Sequence, residues 1–242
     1  MTNILMVCHL DIIKVFDGNA SMRKRTFRTI AISRSATKDQ LIAASLRAFH
    51  IHDDPRYYLL SDVYADSSDK EVSDFMPVSS LTRKEGKRPG IMMRFRPPNP
   101  NEGGIRVYPG KLNVDDTYQI IGVTSDTSVE DVMVASLEKF GLDPKDINRY
   151  RLVEVSLEKG AVHERTMDNQ ESPWEIVKNV ARESVRRKEN TRFYLQTKDE
   201  VYCSNVAIFV GNLPPNLSQR QYERILVDLL GKRECFISYF LT

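Results

Sequence analysis

The feature that most constrains this chain of 242 residues is that it says the same thing twice. ASLRAF at Ala44–Phe49 returns as ASLEKF at Ala135–Phe140, and the match extends in both directions. KVFDG (Lys14–Gly18) returns as RVYPG (Arg106–Gly110), FRTIAIS (Phe27–Ser33) as YQIIGVT (Tyr118–Thr124), and RYYLLSDVY (Arg56–Tyr64) as RYRLVEVSL (Arg149–Leu157). The offset stays at about 91 to 93 residues, too long for a solenoid period and the right size for a small domain. The sequence therefore predicts two tandem copies, residues 10–97 and 103–199, a Pro-rich joint at 98–102, a tail at 1–9 and a separate segment at 200–242. Pro97, Pro98 and Pro100 predict a semi-rigid joint.

Local patterns give each copy an order of elements. In the second, Gly104–Tyr108 and Tyr118–Thr124 are rich in β-branched and aromatic residues and flank a turn cluster, which predicts a hairpin. Ser128 then caps a helix whose apolar face is Val132, Ala135, Leu137 and Phe140 and which stops at Gly141. Arg151–Leu157 and Val162–Met167 read as strands, Pro173 opens a second helix, and Arg192–Gln196 reads as a last strand. Trp174, at the start of that helix, reads as packing. The first copy predicts strands at Asp11–Phe16 and Phe27–Ser33, a helix at Lys38–Phe49, strands at Tyr57–Tyr64, Phe75–Val78 and Ile91–Phe95, and only a weak second helix. This order is that of an α+β, ubiquitin-like β-grasp, in which one helix crosses a mixed sheet.

Composition excludes several classes. No apolar run approaches the roughly 18 residues of a membrane span, and the apolar start at Ile4–Val7 lacks the length and basic flank of a secretory signal, so a cytoplasmic protein is expected. Cys8, Cys203 and Cys235 are odd in number and scattered, which favours reduced thiols over disulfides or zinc. His9, His50, His52 and His163 show no metal spacing, and His50 and His52 suit a helix end. No phosphate loop of the G-x-x-x-x-G-K-[ST] or G-x-G-x-x-G type occurs, so neither an enzyme nor a cofactor is expected in this chain.

The net charge of +2 conceals an asymmetry. The first copy carries 16 Lys and Arg against 11 Asp and Glu, the second 15 against 17. The densest cationic segment, Arg23, Lys24, Arg25 and Arg28, runs into the second strand of the first copy, with Arg34 at that strand's end and Lys38 at the helix start. A strand edge with unpaired N–H and C=O groups, flanked by such a row, suits addition of a strand from an acidic partner. The plainer reading is a solvated hairpin whose charges prevent edge aggregation.

The pattern K-V-F-D-G, a basic hairpin, F-R-T-I-A-I, then T-K-D-Q-L-I-A-A-S-L-R-A-F-H-I resembles a Ras-associating domain, a ubiquitin-like module. In that family the second strand pairs with an edge strand of a GTP-loaded small GTPase, and basic residues of the first two strands and the first helix meet its acidic switch region. The resemblance thus implies a GTPase-binding set of Lys14, Arg25, Arg28, Arg34 and Lys38, supported by Arg23 and Lys24. The second copy departs from it with Asp115, Asp116, Gln119, Glu130 and Asp131 in the corresponding places, where like charge would repel an acidic switch.

Two such copies followed by Thr191–Gln196 and by V-A-I-F-V-G-N-L-P-P-N-L-S (Val206–Ser218) are similar to the region preceding the catalytic domain in theta-type diacylglycerol kinases. That resemblance implies a non-catalytic signalling module, the regulatory part of a longer lipid kinase whose Gly-Gly-Asp-Gly nucleotide motif is absent from this chain. Ile208–Pro214 matches the first strand motif of an RNA-recognition domain, with Phe209 at a stacking position, and Ser218–Leu230 fits its next helix. About 37 residues remain after Val206 and the second motif is missing, so packing rather than nucleic-acid binding is expected, with Phe236–Leu241 as an exposed apolar liability. Arg83, Lys84, Lys87 and Arg88, and then Arg186, Arg187 and Lys188, are candidates for an anionic phospholipid surface that would recruit the chain to membrane. The alternative function is a scaffold that packs on a kinase domain or an anionic membrane without binding a GTPase.

Overall fold

The computed structural model describes residues 10–67, 70–158, 161–199, 221, 224 and 225. The expectations for the tail at 1–9, for the three cysteines and His9, for Phe209 and for Phe236–Leu241 lie outside these residues. Within the helix expected at Ser218–Leu230, the described residues Gln221, Arg224 and Ile225 are helical. Among the described residues the chain divides into two compact units, the first within 10–103 and 174–189, the second within 104–173 and from 190 onward. No helix among the described residues is long and apolar enough to cross a membrane.

The first unit begins with β1 (Leu10–Phe16), a short helix α1 (Asn19–Lys24), β2 (Arg28–Ser33) and α2 (Lys38–Ala48), followed by β3 (Tyr58–Asp62) and β4 (Gly90–Phe95). The sheet order is β2-β1-β4-β3, with β1 antiparallel to β2 and parallel to β4, and β3 antiparallel to β4. Alternation along each strand sends Ile13, Val15, Ile30, Ile32, Leu60, Ile91 and Met93 into one core, where they meet Leu41, Ile42 and Leu46 of α2. A mixed sheet crossed by one helix is the α+β arrangement the sequence predicts. The start of α2 is held by a reciprocal pair of bonds: the Thr37 hydroxyl accepts the Gln40 N–H at 3.2 Å and the Gln40 side chain accepts the Thr37 N–H at 3.0 Å.

Two local expectations are corrected. The basic hairpin between β1 and β2 contains a helical turn, α1, stapled by Ser21, whose hydroxyl accepts the Asp17 N–H at 3.0 Å and donates to the Gly18 carbonyl at 2.8 Å. Phe75–Val78 forms a turn instead of a strand, with the Ser80 N–H donating to the Met76 carbonyl at 3.0 Å. Pro77 has no N–H for a ladder, and Val78 is wholly buried, so the segment plugs the core as a loop.

The second unit contains β5 (Glu102–Tyr108) from Gly104 onward, β6 (Gln119–Thr124), α3 (Val129–Lys139), β7 (Tyr150–Glu158), β8 (Ala161–Thr166) and β9 (Thr191–Thr197). Their order is β6-β5-β9-β7-β8, with β5 parallel to β9, and β7 antiparallel to both β8 and β9. Between β8 and β9 lie α4 (Pro173–Glu183) and α5 (Val185–Glu189), and residues 174–189 belong to the first unit.

That allegiance has specific causes. Val185 is wholly buried in the first core. Its N–H donates to the Asp17 carbonyl at 2.6 Å, and the Ser184 hydroxyl donates to the buried Asp17 carboxylate. Gly18 adopts φ 141°, and a Cβ there would lie 2.6 Å from the Glu183 carbonyl oxygen, so both conformation and proximity require glycine. Arg23 pairs with Glu183. Trp174, 3% exposed, donates from Nε1 to the Pro100 carbonyl at 3.1 Å and meets the Phe95 ring edge-on. The second copy has Pro109 where the first has Asp17, and so lacks this carboxylate.

Lys188 completes the attachment, with Nζ 2.5 Å from Asp53 Oδ2 and 4.4 Å from the centre of the Phe95 ring. Burial pushes the Asp53 carboxyl up, but the charge and hydrogen bond of Lys188, the Tyr58 hydroxyl and the Asp54 N–H outweigh it and hold it below the ordinary value. A carboxyl depressed on folding contributes stability above its unfolded pKa of about 3.9 and loses it as pH falls through the folded value. Lys188→Met is therefore expected to cost about 2 kcal/mol at pH 7 and distinctly less near pH 3, read by denaturant melts at the two values. A second prediction concerns the end of α2, where His50 takes a left-handed φ of 56°, as Gly141 takes one of 71° after α3. A side chain in that region costs about 1–2 kcal/mol and glycine returns about 0.5–1 as chain entropy, so His50→Gly should stabilise the protein by about 0.5–1 kcal/mol in the same melts.

Candidate partner-binding edge

β2 is the end strand of the first sheet, and the phase of its hydrogen bonds determines what it offers. The Lys14 N–H donates away from β2, to the Pro89 carbonyl at 2.9 Å. In an antiparallel ladder, facing residues exchange both bonds or neither, so Lys14 and its partner Thr29 form a non-hydrogen-bonded pair. Thr29, and Ala31 two residues on, accordingly turn their N–H and C=O groups outward, and both residues are exposed. The strand ends where the Ser33 carbonyl accepts the Ala36 N–H at 3.1 Å.

Cationic side chains lie on both sides of this edge. Arg28 pairs with Val15 and projects on the α2 side of the sheet. Lys14 projects on the other, its Nζ 4.6 Å from the centre of the Phe27 ring, which itself packs edge-on against Phe16. Leu10 and Ile12 share that outer face and are 60% and 46% exposed. Lys24 and Arg25 close α1, with Arg25 in the left-handed region. Among the described residues, Lys14, Lys24, Arg25 and Arg28 pair with no acidic side chain.

The other three candidates are tied to the chain's own acids. Arg23 is held by Glu183. Arg34 donates from Nε to Asp11 Oδ1 at 3.0 Å, and Arg83 donates to the other oxygen of the same carboxylate. Burial pushes the Asp11 carboxyl up, but the bonds and charges of Arg83 and Arg34 outweigh it and hold it below the ordinary carboxylate range. Lys38 reaches Glu71 at 2.6 Å and Asp74 at 2.8 Å; burial pushes its ammonium down, and the two carboxylates more than reverse this. Of the lipid candidates, Arg83 is occupied at Asp11, Lys84 and Lys87 lie 5.5 and 5.9 Å from the centre of the Tyr64 ring, and Arg88 is exposed.

The outward groups of Thr29 and Ala31, the apolar face at Leu10, Ile12 and Phe27, and the pairing role of Asp11 escaped the sequence reading. A signal was present in LDIIKVF, which is apolar on both alternating faces.

Residues 9–97 and 101–200 match the family model of the Ras association (RalGDS/AF-6) domain, and residues 203–240 match one described as diacylglycerol kinase theta, RNA-binding domain-like. The chain is 30% identical to human (Homo sapiens) diacylglycerol kinase theta over 237 residues, covering 93% of this chain and 25% of that protein. It is 28% identical to the mouse (Mus musculus) protein over 242 residues, covering 93% and 24%. The chain thus spans about a quarter of the length of the curated relatives it matches. Among solved structures it is similar to the Rasip1 RA domain, at 16% identity over 40% of this chain and 90% of that one, with a TM-score of 0.31. Carrying two Ras association segments over most of its length, the chain belongs to the Ras association domain family.

Proposed function

We propose that the first copy binds a GTP-loaded Ras-family small GTPase by strand addition at β2, as part of the regulatory region of a diacylglycerol kinase. The observation that carries this reading is the open edge itself: outward N–H and C=O groups at Thr29 and Ala31, with Lys14, Lys24, Arg25 and Arg28 around it and, among the described residues, no acid of the chain's own on them. Main-chain pairing supplies affinity that is indifferent to sequence, and the cations supply attraction for an acidic partner and a faster encounter. The proposed binding set is Lys14, Lys24, Arg25 and Arg28 at the edge, with Arg23, Arg34 and Lys38 as a second tier that holds the surrounding acids in place.

Binding to Ras-family members in the GTP and GDP forms, followed by surface plasmon resonance, tests the reading. Arg28→Glu is expected to weaken binding of the GTP form about tenfold or more, mostly through association rate and with a reduced salt dependence, while Arg34→Ala changes it less than about threefold. Ala31→Pro removes an N–H that the sheet does not use, so it should abolish binding with little loss of stability. Equal affinity for the two nucleotide forms, or none for any Ras-family member, overturns the reading.

A further inference from the structure

The two copies differ at a position that neither charge nor family pattern brings forward. Lys139, in the last turn of α3, donates from Nζ to the Ile120 carbonyl at 2.6 Å. β6 ends the second sheet as β2 ends the first. In the repeat, YQIIGVT aligns with FRTIAIS, so Ile120 stands where Thr29 does, and the carbonyl that Lys139 takes corresponds to one that faces outward from β2. ASLEKF aligns with ASLRAF, so Lys139 stands where the first copy has Ala48. A methyl group cannot reach the strand edge. Both helices begin and end at matching positions, with capping boxes at Thr37 and Ser128, so a lysine at 48 would start from the same place as Lys139 does.

We propose that Lys139 is a latch that bars strand addition at β6, and that Ala48 is what leaves the β2 edge unlatched. An incoming strand at β6 has to displace the ammonium from the Ile120 carbonyl and bury or expel its four-carbon stem, and lysine on an edge opposes pairing in this way. The need for a latch is visible in the side chains: Tyr118 and Ile120 expose 38% and 55% of their surface on or beside β6, an apolar edge that would otherwise pair with a like strand. The partner excluded is a second copy of this chain, because two β6 edges brought together antiparallel satisfy each other symmetrically. The latch is a specificity device: it leaves one of two related edges available.

The β6 half of the proposal is independent of any GTPase, and the β2 half rests on the function proposed above. Sedimentation velocity on the full chain from about 1 to 100 μM reads the first half. Lys139→Ala, and Lys139→Met, which keeps most of the stem, are each expected to introduce concentration-dependent dimerisation. Gly122 aligns with Ala31 and offers the outward N–H, so adding Gly122→Pro to Lys139→Ala should restore the monomer. Sedimentation of both folded single variants identical to wild type, or wild-type dimerisation that Gly122→Pro removes, overturns the latch. If wild type binds a GTP-form partner, Ala48→Lys, shown to be folded by its melting curve, is expected to weaken that binding at least fivefold, and unchanged affinity there overturns the role given to Ala48 while the Lys139 latch and the β2 reading stand. If wild type binds no such partner, the β2 reading falls and sedimentation alone decides the latch.

Discussion

The hydrogen-bond phase of β1 governs what the first unit can do. This strand is bonded on both sides, to β2 and to β4, and each of its residues faces one neighbour or the other. Because Lys14 gives its N–H toward β4, Thr29 and Ala31 must look away from the sheet. The same phase sorts the side chains, sending Ile13 and Val15 to the core and Leu10, Ile12 and Lys14 to the outer face. A slip of one residue in register would exchange both sets at once, burying a lysine and turning the outward amides inward. Core packing and edge chemistry are therefore set by one choice, which hydrophobic burial enforces.

Charge at the edge is decided by subtraction. The first copy has an excess of basic residues, but its folded form pairs Arg23, Arg34, Lys38 and Arg83 with Glu183, Asp11, Glu71 and Asp74. Exposed pairs of this kind contribute little to stability, and their larger consequence is to remove these cations from the field an approaching partner meets. The residual positive charge gathers at α1 and the beginning of β2. Asp11 illustrates the economy, since a single buried carboxylate holds two guanidinium groups at the far end of the same strand pair.

Much of the fold was legible because it rests on short-range patterns: alternation in the strands, the cap at Ser128 and the stop at Gly141. The failures share a cause. Phe75–Val78 has strand-like residues, but Pro77 lacks the N–H that a ladder needs, and α1 depends on a Ser21 bond network that composition does not reveal. The pairing of Arg23 with Glu183 joins residues 160 positions apart, and residues 174–189 fold with the first unit through Asp17, Gly18 and Asp53. A site residue's type can be read from a local motif. Whether it remains available depends on long-range partners that one sequence does not display.

The attachment of Val185 separates the unit that was duplicated from the unit that folds. Duplication copied a stretch of about 91 to 93 residues, yet the first core is completed only when Val185 arrives, long after the second copy has begun. A polypeptide ending at residue 103 would present a vacant apolar slot, an Asp17 carboxylate stripped of its Ser184 donor and an Asp53 stripped of its lysine. Val185 lies more than eighty residues beyond residue 103, so it joins that core from well inside the second copy. Deleting the second copy, residues 103–199, would thus remove part of the unit that the first copy builds.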